Sequence, residues 1–191
     1  MDTPAIEDNF GRKFPYLRLS ITDICNFSCS YCLPNGYQKP QTDKGRKNVF
    51  LTLPEIRRIV QAFAGMGMWK LRLTGGEPTL RKDFIDIVKT AHDIEGVKKL
   101  ALTTNGYKLP EQAIDFYRAG LRAINISTDT LDRQKFKDMT GHDRLSDIID
   151  GIDASFDAGF HAVKVNTVLL KDFNGCELDN FIDFVKDRPV S

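Results

Sequence analysis

Cysteine, histidine and tryptophan are scarce in this chain: four, three and one among 191 residues. So few cysteines argue against a disulfide-stapled scaffold, and three of them, Cys25, Cys29 and Cys32, crowd into one stretch that suits disulfides poorly. The histidines, His92, His142 and His161, stand far from that stretch, so no set of four zinc ligands is apparent. Charge of one sign is lacking as well. The net charge is +1 although 28% of residues are charged, which gives no general pull toward nucleic acid or a membrane surface; any basic site must be local. No run is long and apolar enough to span a bilayer, and no N-terminal segment reads as a signal peptide. Repeats and low-complexity segments are also missing. The expectation is a single domain over 1–191, with 41% hydrophobic residues to build its core, in a reducing, cytoplasmic compartment.

The chain alternates short apolar strands with amphipathic helices. Strands are expected at about 15–21, 69–74, 97–104, 122–128 and 162–169. Helices are expected at about 53–65, 82–94, 110–119, 145–158 and 176–187. The first helix carries a capping box, Thr52 with Glu55, and Pro54 just inside its start. Residues 35–50 are polar and turn-rich and read as a mobile loop. Such alternation implies an α/β fold with parallel strands and right-handed crossovers, either Rossmann-like or a TIM-type barrel. The strand faces favour the barrel. Buried parallel strands are usually apolar on both faces, but here Leu17, Leu19 and Ile21 oppose Arg18 and Ser20. Leu71 and Leu73 oppose Lys70, Arg72 and Thr74, and Leu100 and Leu102 oppose Thr103. Ile124 and Ile126 oppose Asn125 and Ser127, and Val163 and Val165 oppose Lys164 and Asn166. Helices over the apolar faces would leave Arg18, Lys70, Arg72 and Lys164 converging in the lumen of a partial barrel. Buried cations need partners, so an anionic ligand is expected there. A solvated face is the plain alternative, since Lys and Arg extend readily to water.

The chemistry-bearing residues fall at the strand ends, where ligands bind in such folds. The CxxxCxxC triplet follows the first strand; three thiolates can hold three irons of a [4Fe-4S] cube and leave the fourth iron open to a small molecule. Tyr31, before the third cysteine, suits a cofactor resting on the loop. Thr74-Gly75-Gly76-Glu77-Pro78 follows the second strand. Its glycines would let backbone approach a ligand, and Glu77 would accept from an amino group. Thr103-Thr104-Asn105-Gly106 and Ser127-Thr128-Asp129 end the third and fourth strands and put hydroxyls at the rim, although each alone reads as a turn or cap. Cys176 stands alone in the last helix and reads as structural, and no histidine is given a catalytic role.

The cysteine triplet is the signature of radical S-adenosylmethionine (SAM) enzymes. With Asp8-Asn9-Phe10-Gly11-Arg12, Tyr16 to Asp23, Lys70 to Pro78, Ile126 to Asp132, Thr140-Gly141 and Val163 to Thr167, the chain closely resembles the MoaA family, the GTP 3',8-cyclases of molybdenum cofactor biosynthesis. The resemblance implies a partial (β/α) TIM-type barrel of the radical SAM kind, a lyase with one [4Fe-4S] cluster and SAM as cofactors. Cys25, Cys29 and Cys32 would ligate the cluster. Tyr31, Gly76 and Ser127 would lie against SAM, and Arg18, Lys70, Arg72, Thr103 and Lys164 would face GTP. A SAM-derived radical would take a ribose hydrogen from GTP, and the sugar carbon would then attack the purine. Expected partners are GTP, an electron donor protein or other reductant, and a second copy in a homodimer, with no nucleic acid and no membrane. Ser28, Leu33, Thr128 and His142 stand where the family often has Arg, Met, Leu and Arg. The family also has a sixth strand and a C-terminal region with three further cysteines. Here the chain stops at Arg188-Pro189-Val190-Ser191, so the resemblance implies a truncated core with strand five as an open edge.

Overall fold

The structure, a computed structural model, describes residues 5–38 and 50–191. The loop expected at 35–50 therefore lies largely outside the described residues. Five strands, β1 (Tyr16–Ser20), β2 (Lys70–Thr74), β3 (Lys99–Thr104), β4 (Ala123–Ser127) and β5 (Val163–Asn166), form one parallel sheet in sequential order. Helices α1 (Leu53–Gly65), α2 (Phe84–His92), α3 (Leu109–Ala119), α4 (Arg133–Thr140), α5 (Leu145–Asp157) and α6 (Leu178–Lys186) fill the connections. Each long crossover helix buries one stripe. Ile56, Val60 and Ala64 of α1 recur at the four-residue spacing that keeps side chains on one helix face, as do Leu145, Ile148 and Ile152 of α5 at three and four. These stripes pack with Leu71, Leu73, Leu100, Leu102, Ile124, Ile126 and Val163 from the apolar strand faces in a single core. The other strand faces form the inner surface of a partial barrel. Glu55 accepts from the Thr52 amide at 2.8 Å and the Thr52 hydroxyl at 2.7 Å, so the expected cap of α1 is present.

Three elements differ from expectation. Helix α4 lies where no helix was expected, because Phe136 and Met139 are its only buried apolar residues. Its signals are in the caps: the Asp132 carboxylate accepts from the Lys135 amide at 2.9 Å, and Gly141 closes the helix at φ 78°. Strand β5 is shorter than expected because the chain beyond Asn166 turns toward the β4 exit. There the Thr167 hydroxyl donates to the Thr128 carbonyl and the Val168 amide to Asp129 Oδ1. Finally, the β5 edge is not fully open. Ser191 donates to the Val163 carbonyl at 3.3 Å and accepts from the Val165 amide at 3.1 Å, a parallel pairing beside β5, with Val190 packed into the core.

Candidate functional site

The cysteine loop crosses the barrel mouth from the end of β1, and two other strand ends and the end of helix α4 hold it. Gly76 and Glu77 donate backbone N–H groups to the carbonyls of Thr22 and Ile24 at 2.8 and 2.7 Å. Asn105, after β3, donates its side-chain amide to Asn26 Oδ1 at 2.8 Å. The Ser28 and Ser30 amides donate to the carbonyls of Thr140 and Met139 at the end of α4, both at 3.0 Å. Phe27 is the apolar anchor. It is buried edge-on against Tyr107 and Phe136, with His142 stacked on it at 5.3 Å between centroids. His142 thus has a packing role, and α4, the helix without a clear hydrophobic pattern, seats the cysteines.

This arrangement corrects the expected role of Glu77. Its carboxylate is fully buried and accepts from the Thr79 amide and hydroxyl, the Thr104 hydroxyl and the Asn105 amide at 2.6–3.1 Å. Both oxygens serve to tie the β2 exit to the β3 exit, so they are not presented to a ligand's amino group. Burial pushes its pKa up, and the four donors pull it back. The glycines also have a different reason. A Cβ on Gly76 would lie 2.6 Å from the Ile24 carbonyl carbon, 2.7 Å from the Asp23 oxygen and closer still to the Ile24 oxygen, and one on Gly75 would collide with the Thr22 oxygen. Close approach of the chain's own cysteine loop requires both glycines.

Cys25 and Cys29 are half-buried and packed against the core, and Cys32 is exposed. Burial pushes the Cys25 thiol up. Burial, with the charges of Cys25, Asp129 and Cys32, pushes Cys29 up to about 12. The neighbouring sulfurs oppose the ionisation of Cys25 and Cys29, and a group bringing positive charge, such as the irons of a cube, is what would hold them as thiolates. Among the described residues no three His, Cys, Asp or Glu side chains converge as ligands of one ion would. The donor set fits the cluster. Tyr31 donates its hydroxyl to Asp129 Oδ2 at 2.7 Å; burial and this bond raise its pKa. The sequence offered no sign of this pair, since 98 positions separate the two. Cys176 lies in a short 3-10 turn (Gly175–Glu177) before α6, is exposed, and has the Lys135 Nζ 3.6 Å from its sulfur, so it is not a core residue.

Register brings the expected lumen residues into rows. Arg18 pairs with Arg72, Arg72 with Ala101 and Ala101 with Ala123. Thr103 pairs with Asn125, and Asn125 with Lys164. The last row ends in Ser127 beside Asn166. Asn125 was not among the expected ligands; its alternation with Ile124 and Ile126 was the available signal. Of the four cations, Arg72 alone is buried, at 8% exposed; Lys70 is half-buried, and Arg18 and Lys164 are exposed. Arg72 donates to the Tyr16 hydroxyl (2.7 Å), the Leu102 carbonyl (3.0 Å) and the Thr103 hydroxyl (3.2 Å), all neutral groups. Lys70 lies 4.8 Å from the Tyr16 ring centroid. Among the described residues no carboxylate pairs with any of these cations.

The profile of the Radical SAM superfamily matches residues 19–185. A protein named GTP 3',8-cyclase from Aeromonas hydrophila subsp. hydrophila is 50% identical over 185 residues, 97% of this chain and 54% of that protein. One of the same name from Vibrio parahaemolyticus is 52% identical over 184 residues, 96% of this chain and 54% of its own length. The chain thus spans about half the length of the curated relatives it matches. Among solved structures, Streptococcus suis SuiB bound to S-adenosylmethionine superposes with TM-score 0.69 at 19% identity, covering 88% of this chain and 37% of SuiB. The FeFe-hydrogenase maturase HydG from Carboxydothermus hydrogenoformans gives 0.69 at 14% identity, covering 91% and 41%. At such identities the likeness concerns the fold.

Proposed function

Because the chain belongs to the radical SAM superfamily, whose enzymes carry a [4Fe-4S] cluster and use SAM, we propose that it serves GTP 3',8-cyclisation, the activity for which its half-identical relatives are named. When bound, the cluster and SAM supply a carbon-centred radical able to take a hydrogen from the ribose of GTP. This chain's residues hold, orient and enclose the reactants. Cys25, Cys29 and Cys32 hold the cluster. Tyr31, Gly76 and Ser127 lie against SAM at the barrel mouth. Arg18, Lys70, Arg72, Thr103 and Lys164 bind GTP from the inner face of the sheet, with the arginines and lysines on its triphosphate. An electron donor protein or other reductant supplies the electron, in the cytoplasm.

The carrying observation is the pairing of Arg18 with Arg72. Neighbouring strands bring their backbones within about 4.8 Å, and like charges on adjacent strands repel. Arg72 is buried among neutral partners, and Lys70 lies two residues away on the same face. A polyanion between them turns that repulsion into binding. Equilibrium binding of GTP to anaerobically reconstituted protein tests the reading. GTP should bind, and inorganic triphosphate should displace it. Guanosine binding as tightly as GTP, or no GTP binding, would overturn it and leave room for a different anionic substrate.

A further inference from the structure

We propose that Asp129 is a positioning residue for the cofactor site: its carboxylate fixes Tyr31, and with it the segment carrying Cys32, against the exits of β4 and β5. Asp129 is 6% exposed and both its oxygens accept hydrogen bonds, Oδ2 from the Tyr31 hydroxyl and Oδ1 from the Val168 amide, each at 2.7 Å. Its own backbone is held in turn. Asn174 donates to the Asp129 carbonyl at 2.6 Å, Thr128 donates its amide to the Asn166 carbonyl at 3.0 Å, and Thr167 closes on the Thr128 carbonyl at 2.8 Å. The carboxylate therefore stands on a platform that both strands build, the arrangement that gives a site precise geometry.

The cysteine loop needs such a fixture at this point. Up to Ser30 it is tied to the ends of β2, β3 and α4. From Tyr31 to Leu33 the bonds recorded among the described residues are local, Cys32 and Leu33 both donating to the Cys29 carbonyl, except for Tyr31 to Asp129. That one bond sets where the third cysteine and the aromatic ring stand relative to Ser127, two residues before Asp129. A carboxylate suits two donors, because each oxygen accepts; an asparagine would direct its NH2 at one of them, and only the Tyr31 hydroxyl could turn to accept it.

This inference rests on the reading that SAM binds at the cysteine loop, and the test separates the two. SAM affinity is measured by calorimetry on cluster-loaded wild type, Asp129→Ala, Asp129→Asn, Tyr31→Phe and the Asp129→Ala/Tyr31→Phe double variant. Hydrogen exchange of the Tyr31–Gly36 amides is followed in the same samples. Asp129→Ala and Tyr31→Phe should each weaken SAM about tenfold, the scale of one hydrogen bond to a charged group. The double variant should also lose about tenfold, not the hundredfold of independent sites. Exchange should quicken in all three, and Asp129→Asn, which keeps only a neutral hydrogen bond to the Tyr31 hydroxyl, should fall between wild type and Asp129→Ala. Should Asp129→Ala fail to fold, Tyr31→Phe and Asp129→Asn carry the test, since neither empties the buried position. Unchanged SAM affinity in Tyr31→Phe, or additive losses, would refute the positioning role alone. A wild-type chain that loads the cluster and binds no SAM would overturn the cofactor reading with it.

Discussion

Replacing Gly76 with alanine distinguishes two reasons for the glycine. If it serves only to admit a ligand, the protein free of cluster and SAM should not notice the methyl. The structure expects otherwise, because the new Cβ would stand 2.6–2.7 Å from backbone atoms of Ile24 and Asp23, and backbone yields less readily than the end of a flexible side chain. Forcing a methyl into filled space costs about 1–3 kcal/mol. Moving the loop away also stretches the Gly76–Thr22 and Glu77–Ile24 hydrogen bonds, at about 1 kcal/mol each. The sum is about 3–5 kcal/mol. At about 2–4 °C per kcal/mol for a chain of this size, the apoprotein should melt roughly 6–20 °C lower, if the loop unfolds with the whole. If it detaches alone, the melting point should hold while the amides of 22–33 lose exchange protection. Calorimetry and hydrogen exchange on cluster-free Gly76→Ala protein decide it. Wild-type melting and protection, with only SAM affinity reduced, would refute the loop-contact account.

Three further outcomes are expected. Cys29→Ala should abolish the brown iron–sulfur absorption after anaerobic reconstitution, whereas wild type should carry about four irons per chain, as one cube requires; stoichiometric zinc in wild type would contradict this. Phe27→Ala should cost about 3–5 kcal/mol, as for other buried phenylalanines, and lower iron content as well as melting temperature, while Phe27→Leu should keep most of both. Arg72→Ala should weaken triphosphate binding by about 1.5–3 kcal/mol, as for a hydrogen bond to a charged group, with iron content unchanged; GTP affinity unchanged from wild type in Arg72→Ala and Lys70→Ala would reject their assignment.

All five strands were legible because alternation in a half-polar parallel strand reports both faces at once. Arg18, Arg72 and Lys164 could therefore be placed on the inner face before any register was known. The cysteine triplet was legible because its chemistry is local. Helix α4 was not, since its burial rests on Phe136 and Met139, too few to mark a period; Asp132 and Gly141 at its two ends were the better guide. Glu77 was misjudged because an acid beside two glycines resembles a ligand group, and its four donors come from Thr79, Thr104 and Asn105, which only the folded sheet assembles. Tyr31 and Asp129 pair across 98 positions, a separation that no spacing rule reaches.

The cysteine loop emerges early in synthesis, but the partners that seat it come late: Thr140, whose carbonyl receives Ser28, follows by 112 residues. At about 5–20 residues per second, a nascent chain carries unseated thiols for on the order of ten seconds before α4 exists. Cluster delivery during translation would meet a loop without its docking surface, so loading belongs after the fourth strand and its helix have formed. Alkylation of stalled nascent chains would show this as protection of the half-buried Cys25 and Cys29 arising only once the chain has passed Thr140 and cleared the ribosome, and their protection in shorter chains would exclude it. The radical chemistry attributed to this protein thus depends on a site whose assembly is long-range, although its ligands are sequence neighbours.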